Sequence, residues 1–167
     1  LVADLKRPDR FHYLLLKPNP DSWLVRGAWI LMAYGLLAVT WLMAGILRNE
    51  TVVYALAIPA VLLGAATAGY SAFLFGQAEG RDFWQSPLLL PHLLVAALVA
   101  GGASLVVLHV ALGGAPEKLP PLILGFALSL AAHAVLLVAE LFGAHANLDV
   151  ARAARLITRG GFRARFW

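Results

Sequence analysis

Residues 119–145 read LPPLILGFALSLAAHAVLLVAELFGAH. Apart from Ser129, His133, Glu140 and His145, every residue in the run is apolar, glycine or proline. The run exceeds the roughly 20 helical residues that cross a hydrocarbon core. It is continuously apolar and does not alternate, so a transmembrane helix is expected and a barrel strand is not. On such a helix His133 and Glu140 lie roughly 10 Å apart along the axis and only about 20° apart around it. Ser129, four residues before His133, falls on the same stripe.

The whole chain supports that reading. It has 167 residues, of which 61% are hydrophobic and 13% charged, and its mean hydropathy is +0.79. A small water-soluble domain has too little interior to hide that much apolar surface. Lipid covers it instead. There is no cysteine, which excludes disulfides and thiolate metal sites and leaves histidine as a haem ligand open. The net charge of +4 is no nucleic-acid signal, because the basic residues sit in short loops between apolar runs, where charge reports topology.

Three further segments have the length of a span: about 22–47, about 51–76 with a kink at Pro59, and about 86–112 with Pro87 and Pro91 in its first turns. Pro120 and Pro121 open the fourth, about 119–145; proline is tolerated there because the first helical N–H groups have no intrahelical partner. GAATAG (64–69) and AGGAS (100–104) carry the small residues that let membrane helices approach closely. The expected fold is all-α, a four-span membrane helix bundle in a single domain. Asn147 or Asp149 is placed to cap an amphipathic interfacial helix over 147–159. The chain does not begin with Met, LVADLKRPDR lacks a secretory-signal layout, and FRARFW resembles a lead-in to a further helix. These ends point to the middle of a longer protein.

With four spans, residues 1–21, 77–85 and 146–167 share one side. That side and its flanks hold Lys6, Arg7, Arg10, Lys17, Arg26, Arg81, Arg152, Arg155, Arg159, Arg163 and Arg165; the other holds Arg48 and Lys118. The positive-inside rule puts the basic side in the cytoplasm. A charged residue at mid-membrane costs about 2.5–3.5 kcal/mol on insertion scales, so the polar residues within spans need an explanation. His133 falls near mid-membrane. Glu140, Tyr70, His92 and Asp4 all fall toward the basic side, whereas His109 falls near the other. Each has a structural alternative. Glu140 pairs with an arginine of 152–165, His133 bonds a neighbouring helix, Tyr70 is an interfacial aromatic, and Asp4 pairs with Arg7 or Arg10. The shared sidedness fits a pocket for a lipid-soluble ligand with carbonyl and hydroxyl groups, such as a quinone. His133, Glu140 and Ser129 would then carry its protons.

Three blocks resemble the NrfD/polysulfide-reductase membrane-subunit family: DLKRPDRFHYLLLKPNPDSWLVRGAWIL (4–31), AGYSAFLFGQAEGRDFWQSPLLLPHLLVAALVAGGA (68–103) and ELFGAHANLDVARAARLITRGGFRARFW (140–167). They span nearly the whole chain in the family's order. The resemblance implies a quinone-reactive anchor of eight or more helices, of which this chain is about half. It implies a bacterial or archaeal cytoplasmic membrane, with menaquinone or ubiquinone as the redox partner and no haem or metal in this chain. The partners implied are a ferredoxin-like iron–sulfur subunit that holds the clusters, and a molybdopterin enzyme or multihaem cytochrome beyond it. Tyr70 falls at a quinone-contacting tyrosine of polysulfide-reductase-like members. Asp4 falls at an acidic position on the quinone or proton route of the alternative complex III branch. His92 joins the quinone set through the polar-residue argument. In polysulfide-reductase-like members the corresponding loop is basic and periplasmic. The resemblance therefore implies that the basic side faces the electron-transfer partner, with Arg7, Arg10 and Arg81 as docking residues. Two other functions fit the same sequence: a proton-translocating subunit whose ladder continues through His109, and a purely structural membrane scaffold.

Overall fold

The computed structural model describes residues 16–78, 82–145 and 147–166. Asp4, Arg7, Arg10 and Arg81, expected at the quinone site and the docking face, lie outside the described residues. The fold is all-α, and no strand occurs among the described residues. Among the described residues, four helices are long and apolar enough to cross a membrane. The chain divides into two compact units, one up to Leu74 and one from Phe75 onward.

In the first unit, α1 (Trp23–Ile46) is followed by the short α2 (Glu50–Ala55) and by α3 (Ala57–Gly76). α1 stops where Arg48 takes a left-handed conformation, φ 54°. That turn lets Asn49 N–H donate to the Ala44 carbonyl at 2.9 Å, which satisfies an orphan acceptor at the helix end. Asn49 then accepts from Val52 N–H and so caps α2. The second apolar segment is divided at Leu56. Pro59 sits in the first turn of α3, where its missing N–H is harmless; in an unbroken helix its ring would clash with the carbonyl four residues back.

α1 and α3 pack antiparallel. Trp23 stacks on Phe73 with ring centroids 4.3 Å apart, and one turn further along Gly27 lies under the Tyr70 ring. A Cβ on Gly27 would collide with Tyr70 Cε2 and Cδ2. Glycine is needed there because an aromatic ring occupies the space of its side chain.

In the second unit, a 3-10 turn (Asp82–Gln85) leads into α4 (Leu89–Ala111), and a second (Pro116–Lys118) leads into α5 (Leu119–Phe142). Gly113, at φ 66°, ends α4 and lets Gly114 N–H donate to the His109 carbonyl at 2.8 Å. α4 and α5 form an antiparallel pair. On α5 the buried and half-buried positions include the row Leu122, Phe126, Ser129, His133, Leu136 and Glu140, with Leu119 and Leu141 beside it. Steps of four, three, four, three and four are the spacing of a coiled-coil seam. A Cβ on Gly102 would come within 3.3 Å of Phe126 Cα, so the two backbones are close at this level. Elsewhere large side chains such as Leu98, Val107 and Val135 point away from the protein. A surface of that kind is stable in lipid, where apolar exposure carries no hydrophobic penalty.

α6 (Leu148–Thr158) and the single turn α7 (Arg163–Phe166) follow. Asn147 Oδ1 caps α6 by accepting from Asp149 and Val150 N–H at 3.0 and 2.8 Å. Val150 and Ala154 are each 1% exposed, on the face where α6 packs against α5 and the Asp82–Gln85 turn.

Candidate functional site

The acid–base residues of the second unit meet at one end of the α4–α5 seam. Ser86 precedes α4, and its hydroxyl accepts from Leu88 N–H at 3.2 Å as the chain turns into the helix. The same hydroxyl donates to Glu140 Oε2 at 2.8 Å, across 54 positions of sequence. His92, in the first turn of α4, places Nε2 3.9 Å from that carboxylate oxygen. Both side chains are largely buried, His92 19% exposed and Glu140 11%. The His133 ring meets the His92 ring edge-on, with centroids 5.5 Å apart. Antiparallel packing produces this grouping: the start of α4 and the end of α5 share one end, and seam spacing turns His133 and Glu140 inward.

Two ring nitrogens in the cluster lack a hydrogen-bond partner among the described residues although buried: His92 Nε2 and His133 Nδ1. A buried polar group left unpaired costs about 1–3 kcal/mol, and each instance in a folded protein calls for an explanation. A carboxyl group held by a serine, a histidine beside it and a second histidine one layer deeper are groups whose chemistry allows them to bind or release protons. The two ring nitrogens can each donate to, or accept from, a ligand oxygen.

The remaining residues singled out in the sequence lie as follows. Ser129 is buried on the same seam, but its hydroxyl donates to the Phe126 carbonyl of its own helix at 2.8 Å. Tyr70 is in the first unit, its ring on Gly27. Glu140 is not paired with an arginine among the described residues; Arg152 pairs with Asp149 at 3.1 Å. Arg26 donates through Nε to the Pro20 carbonyl at 2.6 Å and lies over the Trp23 ring at 4.9 Å, which keeps its charge at the helix start. His109 reaches the Ala115 carbonyl at 3.0 Å and leaves no room for a Cβ on Gly114, so it closes the α4–α5 turn. Between Ser129 and His109 the facing side chains, Phe126, Leu122 and Leu105, are apolar. No group of three or more His, Asp or Glu side chains is spaced to hold a metal ion among the described residues.

One contributor was not among the sequence candidates. Ser86 sits in QSP at the entrance to the third span, on the same side as Glu140, and a serine beside a span start was its available signal. Outside the cluster, His145 Nε2, just past the end of α5, is also buried without a hydrogen-bond partner among the described residues. Ser86→Ala removes the donor to Glu140 and, if the carboxyl group works through that bond, shifts its carbonyl stretch in infrared difference spectra. Ser86→Thr is expected to restore it. An unshifted band in Ser86→Ala would detach the serine from the cluster.

A family model described as "Polysulphide reductase, NrfD" matches residues 1–167. The chain is also 28% identical over 132 residues to a protein of Halobacterium salinarum (strain ATCC 700922 / JCM 11081 / NRC-1) that is named as a membrane subunit of dimethyl sulfoxide reductase. That match covers 66% of this chain and 30% of the relative's length. No solved structure matches.

Proposed function

The chain belongs to the polysulphide reductase NrfD family, and from that premise we propose that it is the quinone-reactive part of a membrane anchor in a respiratory oxidoreductase. The anchor passes electrons between the quinone pool of a bacterial or archaeal cytoplasmic membrane and an iron–sulfur partner subunit. That partner serves a molybdopterin enzyme or a multihaem cytochrome. Arg7, Arg10 and Arg81 contribute to its docking face.

One observation carries the reading: His92 Nε2 and His133 Nδ1 are buried without a hydrogen-bond partner among the described residues, beside a carboxyl group that Ser86 holds in place. The fit to a quinone is chemical. A quinone presents carbonyl oxygens and a quinol presents hydroxyl groups, and neutral imidazole nitrogens can serve either form. A quinol supplies two electrons and releases two protons when oxidised. His133, deeper in the seam, accepts a proton at Nδ1. His92 takes the next position, within reach of Glu140 through a small ring movement. Glu140 receives the proton at Oε2 and, lying nearest the end of α5, releases it toward the side where the partner sits. The apolar packing around the seam keeps bulk water away from these groups. Tyr70 and Asp4, named from the sequence, are further quinone contacts in this proposal.

The reading is tested by binding of a quinol-analogue inhibitor to the assembled complex. His133→Gln is expected to weaken it roughly tenfold, the worth of one hydrogen bond to a buried group. Unchanged inhibitor affinity together with unchanged quinol turnover in this variant would remove the quinone from the cluster.

A further inference from the structure

Beyond the acid–base cluster, the strongest chemical feature is the outer face of α6. Arg152, Arg155 and Arg159 line one concavity of about 500 Å³ with Leu156 and Gly160. Their spacing of three, four and seven residues puts all three on one face, opposite the buried Val150 and Ala154. Arg152 reaches Asp149, while Arg155 and Arg159 have no ion-pair partner among the described residues. Residues 147–166 contain five arginines and one acidic residue, Asp149.

We infer that this face is a binding site for the phosphate headgroup of an anionic phospholipid. Its position in the bundle argues for lipid. α5 has 24 residues, roughly 36 Å of helix, enough to cross a hydrocarbon core of about 30 Å. α6 follows within six residues and packs back on α5, which holds its arginines at headgroup depth. The same outer face exposes Leu148 and Leu156, 74% and 50%. Leucines among arginines suit the boundary where acyl chains and phosphates meet. Guanidinium groups bind phosphate oxygens through paired N–H donors. This inference is independent of the quinone chemistry.

The test uses the full-length protein in its native complex, held in phosphatidylcholine nanodiscs and titrated with phosphatidylglycerol, with retained lipid counted by mass spectrometry. Arg155→Gln combined with Arg159→Gln is expected to weaken phosphatidylglycerol retention roughly thirtyfold. The paired lysine variant, which keeps the charge, is expected to keep most of the retention. If the glutamine pair does not assemble, Arg159→Gln alone carries the test with roughly a fivefold loss. Equal retention by the wild type and the glutamine variant overturns the inference. Displacement of the retained lipid by inorganic phosphate at matched concentration assigns the face to a free anion and also overturns it. So does loss of the partner subunits from the glutamine pair while retention is unchanged, which assigns the face to an acidic protein.

Discussion

Glu140→Gln is expected to lower quinone turnover of the assembled complex by roughly 10²- to 10⁴-fold, the usual worth of a positioned proton acceptor. The amide is nearly the same size as the carboxylate and can still accept the Ser86 hydrogen bond through its oxygen, so the end of the α4–α5 seam is expected to stay packed. What the variant loses is the proton acceptor of the proposed route, the carboxyl group 3.9 Å from His92 Nε2. The measurement is steady-state quinol oxidation by the reconstituted complex, alongside spectra that verify its redox centres. Proton uptake in sealed vesicles separates the two membrane roles. Loss of uptake with intact electron transfer would assign Glu140 to proton translocation. Loss of neither would leave it as a structural partner of Ser86.

The second large effect concerns the first unit. Gly27→Ala introduces a Cβ into the space of the Tyr70 ring, where it would meet Cε2 and Cδ2. Overpacking of this kind costs about 1–3 kcal/mol, and that outweighs the gain of up to about 1 kcal/mol from replacing glycine in a helix. The net expectation is a lower thermal midpoint in detergent and a displaced Tyr70 hydroxyl. A double-mutant cycle isolates the cause. In a Tyr70→Ala background the obstruction is gone, so Gly27→Ala is expected to become neutral or mildly stabilising. The same loss in both backgrounds would mean that the Tyr70 ring is not what glycine accommodates.

Much of this architecture was legible along the chain. Pro59, Pro120 and Pro121 lie at helix ends or breaks because their backbone constraints act locally. The seam carrying Ser129, His133 and Glu140 was visible as a stripe because helical periodicity converts spacing into angle. Ser86 was harder to find. Its bond to Glu140 joins residues 54 positions apart, and nothing within QSP announces a partner on the fourth span. Gly27 was equally silent, since a glycine in an apolar run looks the same whether or not a ring fills its side-chain space.

The sequence alone therefore determined that the chain is a helical membrane protein with four apolar spans, and which of their residues are chemically out of place. These properties follow from hydropathy and from the need to satisfy every backbone hydrogen bond in lipid. The tertiary structure decided which out-of-place residues touch. It set His92 between Glu140 and His133, committed the Ser129 hydroxyl to its own helix, and occupied His109 in a turn. Those outcomes depend on how each helix is rotated against its neighbour, which is set by side-chain packing across the seam and not by any single span.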